Sequence, residues 1–269
     1  MPLLTTSATE LHYEVAGTGE PILFLHGLGS STLDWQLAMD HFAPTYKVIA
    51  VDFRGSGLSR DLRRPNGPFT VGQFTEDARA VLEHLGAVPA HIVGLSLGGV
   101  VAFNLAVAEP QVVRTLTIVN SAPAMIVSGG AARTIILVRR VVAWIFGPRG
   151  MAKLLAPKLF PKAEHESLRR TFIERMARNR RGPYGASQIA AISWSVRDRV
   201  GEINAPTLVI SAEHDYPFLG NKQAWANEMK DAEYVEIPDT HHALPLEAPG
   251  KFHATLAAFL AKHRANTGG

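Results

Sequence analysis

Val93-Gly94-Leu95-Ser96-Leu97-Gly98-Gly99 decides the reading of this chain. It follows a short apolar segment, Ala90-His91-Ile92-Val93, and precedes one that reads as a helix, from Val100 to Ala108. A serine on a sharp strand-to-helix turn, with glycine two residues to either side, has the pattern of a nucleophile elbow. Such a turn strains the serine backbone, and only small neighbours let strand and helix approach closely enough to hold it. The turn lifts the hydroxyl into the open. It also puts the N–H of Leu97 at the positive end of a helix, where a developing negative charge is stabilised. A bare Gly-x-Ser-x-Gly also occurs in ordinary loops, so the flanking strand and helix carry the argument.

Outward from the elbow, apolar strands alternate with amphipathic helices. Leu11-His12-Tyr13-Glu14-Val15 alternates with period two, and Pro21-Ile22-Leu23-Phe24-Leu25 is a continuous apolar run of the kind buried on both faces. Tyr46 to Val51, Val112 to Val119, Thr207 to Ile210 and Tyr234 to Ile237 read as further strands. Between Thr70 and Gly86 the residues Val71, Phe74, Ala78, Val81, Leu82 and Leu85 share one helical face. Helices are also expected near 218–229 and from Pro249 to about His263. This alternation predicts an α/β fold: a mostly parallel central sheet with helices on both faces. Ligands in such sheets sit beyond the carboxyl ends of the strands. His26-Gly27-Leu28-Gly29, Asp52, Ser96, Asp215 and the pair His241-His242 all fall there.

A serine hydroxyl needs a base, and the base needs an orienting anion. The chain supplies them in the order Ser96, Asp215, His242. Together with Asp52-Phe53-Arg54-Gly55-Ser56-Gly57-Leu58-Ser59, Pro206-Thr207-Leu208-Val209-Ile210 and His242-Ala243-Leu244-Pro245-Leu246-Glu247, these stretches resemble the α/β-hydrolase superfamily, most of all its lidded serine carboxylesterases and enol-lactonase-like members. The resemblance runs from about residue 11 to residue 260. It implies that Ser96 attacks an acyl carbonyl, that His242 takes its proton and returns it to the leaving alcohol, and that Asp215 holds the tautomer of His242. It further implies an oxyanion hole made by the N–H groups of Leu28 and Leu97. A carboxylate at the elbow would have pointed to a dehalogenase or epoxide hydrolase; this chain has Ser96.

Each assignment has a competitor. His26 is expected to order the oxyanion loop rather than react, and Asp52 and Arg54 to belong to a structural turn. Glu213 competes with Asp215, but the acid must lie beyond the strand end. His241 competes with His242. Asn120 stands at the end of strand 112–119, where some relatives carry an alternative acid that a neutral amide cannot replace. His84 and His91 are expected at the surface or in packing.

The chain has 269 residues, 46% of them hydrophobic and 19% charged, enough for a large core. It has no cysteine, which removes disulfides and thiolate chemistry. No apolar run reaches the ~18 residues of a membrane span, and the N-terminal residues lack the pattern of a signal peptide; the expected location is cytoplasmic. The body is expected to comprise 1–121 and 201–269, and a helical lid 122–200. Residues 121–200 hold 15 of the 27 Lys and Arg but 4 of the 24 Asp and Glu. That basic segment is either a solvated helical surface or a face for an acidic partner, an anionic substrate or a membrane. Thr134 to Phe146 is apolar almost all round and should lie against something apolar. Trp144, Ile145, Phe172, Met176 and Trp194 of the lid, and Trp35 of the body, are the expected walls of an acyl pocket. The expected reaction is hydrolysis of carboxylic esters with small to medium apolar acyl groups. The same residues also fit a carbon–carbon bond hydrolase of ring-cleavage products, a lactonase or a cofactor-free haloperoxidase or perhydrolase. A ligand receptor or binding module of the hydrolase fold is the alternative of another class. No nucleic-acid groove, cofactor or metal site is read, and the sequence leaves the oligomeric state open.

Overall fold

The computed structural model describes residues 2–124 and 130–264. Its strands are β1 (Leu3–Thr5), β2 (Thr9–Ala16), β3 (Pro21–Leu25), β4 (Lys47–Val51), β5 (Arg60–Asp61), β6 (Ala90–Leu95), β7 (Val113–Val119), β8 (Thr207–His214) and β9 (Ala232–His241). They form one sheet in the order β1-β2-β4-β3-β6-β7-β8-β9, with β5 paired to β2. β1, β4 and β5 pair with β2 antiparallel, and every pairing from β4 to β9 is parallel.

The apolar runs are buried on both faces because helices cover both. On one face Leu23 and Leu25 of β3 and Ile49 and Val51 of β4 pack with α2 (Val71–His84) and α3 (Leu97–Ala108). On the other, Ile22, Phe24, Val48 and Ala50 pack with α1 (Gln36–Phe42) and α9 (Pro249–Lys262). Thr70 starts α2 with a capping box: its hydroxyl accepts the Gln73 N–H while the Gln73 side chain accepts the Thr70 N–H.

Parallel register aligns the strand ends. Leu25 lies opposite Gly94, Leu95 opposite Val119, and Val119 opposite Ile210. The residues just past β3, β6, β7 and β8 therefore meet along one edge, where a doubly covered sheet leaves its crevice.

Between β7 and β8 the chain forms α4 (Gly130–Leu159), α5 (Glu166–Ala177) and α6 (Arg181–Ile192). Residues 125–129 of the expected lid lie outside the described residues. The insertion leaves and returns at neighbouring points: Ala124 and Ser195 form an antiparallel bridge, and the Val196 N–H donates to the Pro123 carbonyl at 2.9 Å. Gly147, with φ 64°, breaks α4 in two. Beyond the break Met151, Ala152, Ala156 and Leu159 are buried. Before it, Leu137, Val138, Val141, Trp144, Ile145 and Phe146 are exposed, which corrects the expectation that this run is covered. The break separates a half whose described apolar side chains are exposed from one whose side chains join the core of the insertion. Among the described residues no helix is long and apolar enough to cross a membrane.

The turn after β4 is anchored by a buried ion network. Arg54 donates through Nε and Nη2 to the two oxygens of Asp77 (2.8 and 2.7 Å) and through Nη1 to Asp61 (3.2 Å). Burial alone would lower the Arg54 pKa, and the hydrogen bonds and charge of Asp77 more than reverse it. Removing one partner strands the other charge in the interior. Asp77→Ala is therefore expected to lose about 3–5 kcal/mol of stability. Urea unfolding measures it; a loss under about 1 kcal/mol would mean that Asp61 alone satisfies Arg54.

Candidate active site

Ser96 sits between β6 and α3 with φ 54° and ψ −113°, a left-handed backbone that costs an L-residue roughly 1–3 kcal/mol. Its surroundings enforce it. The Ser96 N–H donates to the Val119 carbonyl (3.0 Å), and its carbonyl accepts the Val100 N–H (3.1 Å) and the Ser121 hydroxyl (2.7 Å). A Cβ on Gly94 would run into the Gly98 carbonyl, and one on Gly98 into the Leu25 carbonyl. Both glycines are needed for that close approach. Leu97 opens α3, so its N–H lies in the first turn, where no intrahelical acceptor exists.

The loop after β3 turns sharply: the Ser30 N–H donates to the Gly27 carbonyl at 3.2 Å, with Gly29 at φ 75°. Leu28 lies within that turn. His26 is fully buried behind it. Its Nδ1 donates to the Gly27 carbonyl (2.8 Å) and its Nε2 accepts the Phe53 N–H (3.1 Å), a tautomer that requires a neutral ring. Burial holds its pKa below the ordinary histidine value. Asp52 supports the same loop. Its Oδ1 accepts the Thr32 N–H (2.7 Å), and its Oδ2 accepts the Leu58 N–H (2.9 Å) and lies 3.0 Å from His12 Nδ1. His26, Asp52 and Arg54 thus serve as loop supports.

Asp215 follows β8, and His242 follows β9. His242 Nδ1 lies 2.5 Å from Asp215 Oδ1, and the Tyr216 ring covers the imidazole at 4.3 Å. Burial alone would push the Asp215 carboxyl up. His242 first, through its charge and hydrogen bond, and then Lys222 hold it below the usual carboxylate value. Glu213 is exposed and accepts the Asp239 N–H instead (2.8 Å). His241 turns to a different acid: its Nδ1 lies 2.8 Å from Glu247 Oε1, and its N–H donates to Oε2 (2.6 Å). Glu247 is the last residue of a short helix, α8 (Leu244–Glu247).

Sequence reasoning assigned Asn120 no role, and the structure gives it one. Its side-chain amide donates to the carbonyls of His241 (3.3 Å) and His242 (3.0 Å), and its Oδ1 accepts the Ala212 N–H (2.7 Å). The preceding residue, Val119, holds the Ser96 N–H. One strand end therefore anchors both the serine turn and the histidine loop. The positive φ of Asn120, 46°, is the local mark of that bend.

The insertion reaches this edge through α5. Asn179 donates to the Gly29 carbonyl (2.7 Å), and Arg175 to the Leu33 carbonyl and Asp34 Oδ1 (both 3.0 Å). Met176 is buried with Met151, Ala152 and Tyr184, and Leu28 packs against that cluster. Phe172 joins this group to a second one containing Phe160, Ala243, Tyr216 and Leu246. Met176 and Phe172 thus stand beside the Leu28 turn and the His242 loop.

The remaining expected pocket walls are elsewhere. Trp35 is buried on the far face of the sheet between Phe24 and Phe252; sequence proximity to the Leu28 turn misled because its 3₁₀ turn points the ring into the core. Trp194 donates to Asn104 Oδ1 (2.9 Å) and packs against the main core under α3. Trp144, 79% exposed, and Ile145 line a groove of about 990 Å³ between α4 and α6, whose wall includes none of Ser96, Asp215 and His242. His91 is buried, with its pKa lowered to about 4 by burial.

A family model for the alpha/beta hydrolase fold matches residues 20–249. The chain belongs to the α/β-hydrolase family. A protein of Variovorax paradoxus named "Putative carbamate hydrolase RutD" is 30% identical over 94% of this chain and 96% of its own. The protein of the same name from Azorhizobium caulinodans is 28% identical over 96% and 98%. Among solved structures, the enol-lactonase from Burkholderia xenovorans LB400 is 25% identical, covers 97% of this chain and 100% of its own, and superposes with a TM-score of 0.86. This α/β hydrolase is therefore similar both to proteins named as putative carbamate hydrolases and to one named as an enol-lactonase. Among the described residues, no group of three His, Asp or Glu is arranged to hold a metal ion.

Proposed function

We propose that this hydrolase is a cytoplasmic serine esterase that cleaves carboxylic esters with small to medium apolar acyl groups through an acyl-enzyme. Ser96 is the nucleophile, His242 the base and then the acid, and Asp215 the orienting anion; the N–H groups of Leu28 and Leu97 receive the oxyanion. The Asp215–His242 contact of 2.5 Å, anchored to the same strand end as Ser96, carries the reading. The base needs its Nδ1–H fixed so that Nε2 is free to accept the serine proton. A single oxyanion donor contributes roughly 3 kcal/mol to transition-state binding. The insertion acts as a lid whose Phe172 and Met176 wall the acyl site.

Lactone hydrolysis is the second reading, favoured by the likeness to the enol-lactonase. It uses the same groups, with the leaving alcohol tethered to the acyl chain.

Chromogenic esters of increasing acyl length, assayed beside a lactone and a ring-cleavage dienoate, test both. Turnover of short and medium esters with a fall at long chains is expected. Activity confined to the lactone would select the second reading, and turnover of the dienoate alone would replace both with carbon–carbon hydrolysis. Phe172→Ala is expected to shift the preference between short and longer acyl chains by about tenfold in kcat/KM. Trp144→Ala should leave the ranking unchanged. The opposite pattern in these two variants would move the acyl site to the α4–α6 groove.

A further inference from the structure

Helix α7 (Lys222–Ala226) begins with a residue that local physics disfavours. A helix N-terminus carries partial positive charge and prefers an acidic side chain in its first turn. Lys222 is the first helical residue and is 6% exposed. An ammonium buried at that point carries two penalties, desolvation and the adverse dipole, and persists only where a partner offsets them. The partner is Asp215: Lys222 Nζ lies 2.6 Å from Oδ2, while Oδ1 faces His242 Nδ1. The ammonium also donates to Ser211 Oγ at 3.0 Å, which fixes it to β8. The helix start itself is set independently, by Asn221 accepting the Ala224 N–H, so α7 does not need this lysine as its cap.

We propose that Lys222 is a positioning residue for the Asp215–His242 pair, holding the second oxygen of the carboxylate and setting the proton affinity of the His242 ring. The carboxylate is clamped from both sides, so it can neither rotate away from Nδ1 nor take up a proton easily. Part of the negative charge that would stabilise an imidazolium is already matched by the ammonium, so removing that ammonium should strengthen the hold of the pair on the transferred proton. This proposal rests on the triad reading above.

The other groups around the pair are His241 with its Glu247, His214 tilted against His241 with ring centroids 5.1 Å apart, His165 near Glu247, the Tyr216 ring, and Tyr234 and Glu236 of β9 beside Ser211. None is altered in the variants below, so a shift reports the lysine charge.

The test is a titration of the His242 ring by NMR, assigned by loss of its signals in His242→Gln, together with the pH profile of kcat/KM on an ester. In Lys222→Met both midpoints are expected to rise by about one unit. The rate falls about tenfold on the acid side and stays within about threefold on the plateau. Lys222→Arg, which keeps the charge, should return the midpoint toward wild type. Lys222→Gln keeps a donor to Ser211 without charge and should behave as Lys222→Met does; it serves if the methionine variant does not fold. A uniform rate loss with unmoved midpoints, or an arginine variant shifted as far as the methionine one, overturns the proposal. If neither neutral variant folds, the wild-type protein decides: Lys222 ammonium protons that exchange far more slowly than those of surface lysines, with a chemical shift that moves in Asp215→Asn, are expected, and an ammonium that exchanges as fast as surface lysines overturns it. The ring titration needs no turnover. A protein that hydrolyses no ester but shows the shift loses the esterase reading and keeps the Lys222 linkage.

Discussion

Ser96→Ala is expected to lower kcat on an ester by about 10⁴-fold or more, because members of a triad act as one unit and the remaining groups leave only residual catalysis. The fold should survive. Alanine keeps the Cβ that already fits beside Gly27, and the hydrogen bonds that force φ 54° come from the Ser96 backbone rather than its hydroxyl. A phosphonate ester should label Ser96 and nothing else, with peptide mass analysis as the readout. Near-normal turnover by the alanine variant, or a label elsewhere, would remove the nucleophile from this turn.

The adjacent histidines give the second large effect. His242→Ala should abolish turnover and phosphonate labelling at neutral pH, again by about 10⁴-fold, whereas His241→Ala should keep a substantial fraction of the rate. The two rings belong to separate acids. His242 is bound to Asp215 beneath Tyr216; His241 is bound to Glu247, which also accepts the backbone N–H at the start of this loop. Removing the His241 ring leaves that backbone bond in place, so the path of the loop into α8 persists. Loss of activity in His241→Ala with retention in His242→Ala would transfer the base by one residue and pair it with Glu247.

Much of this was legible because strands and turns are local. Apolar runs marked β3, β4 and β6, a segment rich in β-branched residues marked β7, and the glycines around Ser96 marked the elbow before any contact was known. The short edge strands β1 and β5 escaped because three and two residues carry no period. The helix expected near 218–229 shrank to a 3₁₀ turn, Pro217–Leu219, and α7. Asn120 and Lys222 were not legible as parts of the site. Asn120 matters through carbonyls more than a hundred residues away. Lys222, between Asn221 and Gln223, has the composition of a solvated loop, and only the fold of β8 against α7 buries it. Trp35 failed in the other direction, since nearness along the chain does not fix which face of the sheet a ring joins. Exposure of the α4 run was hidden for a similar reason: its apolar sequence implies a cover, but the break at Gly147 decides where that half of the helix goes.

The bridge between Ala124 and Ser195 makes the helical insertion a separable cassette. Its entry and exit are neighbours on the sheet edge, so the length and shape of what lies between them impose little on the strands, and the entropy of closing such a loop grows only slowly with its length. The groups proposed to react, Ser96, Asp215 and His242, all follow strands of the sheet, whereas Phe172 and Met176, which pack with Leu28 and Tyr216, belong to the cassette. Descendants of this chain could therefore exchange the roof for another while inheriting the chemistry intact, and change which molecules they accept faster than they change what they do to them.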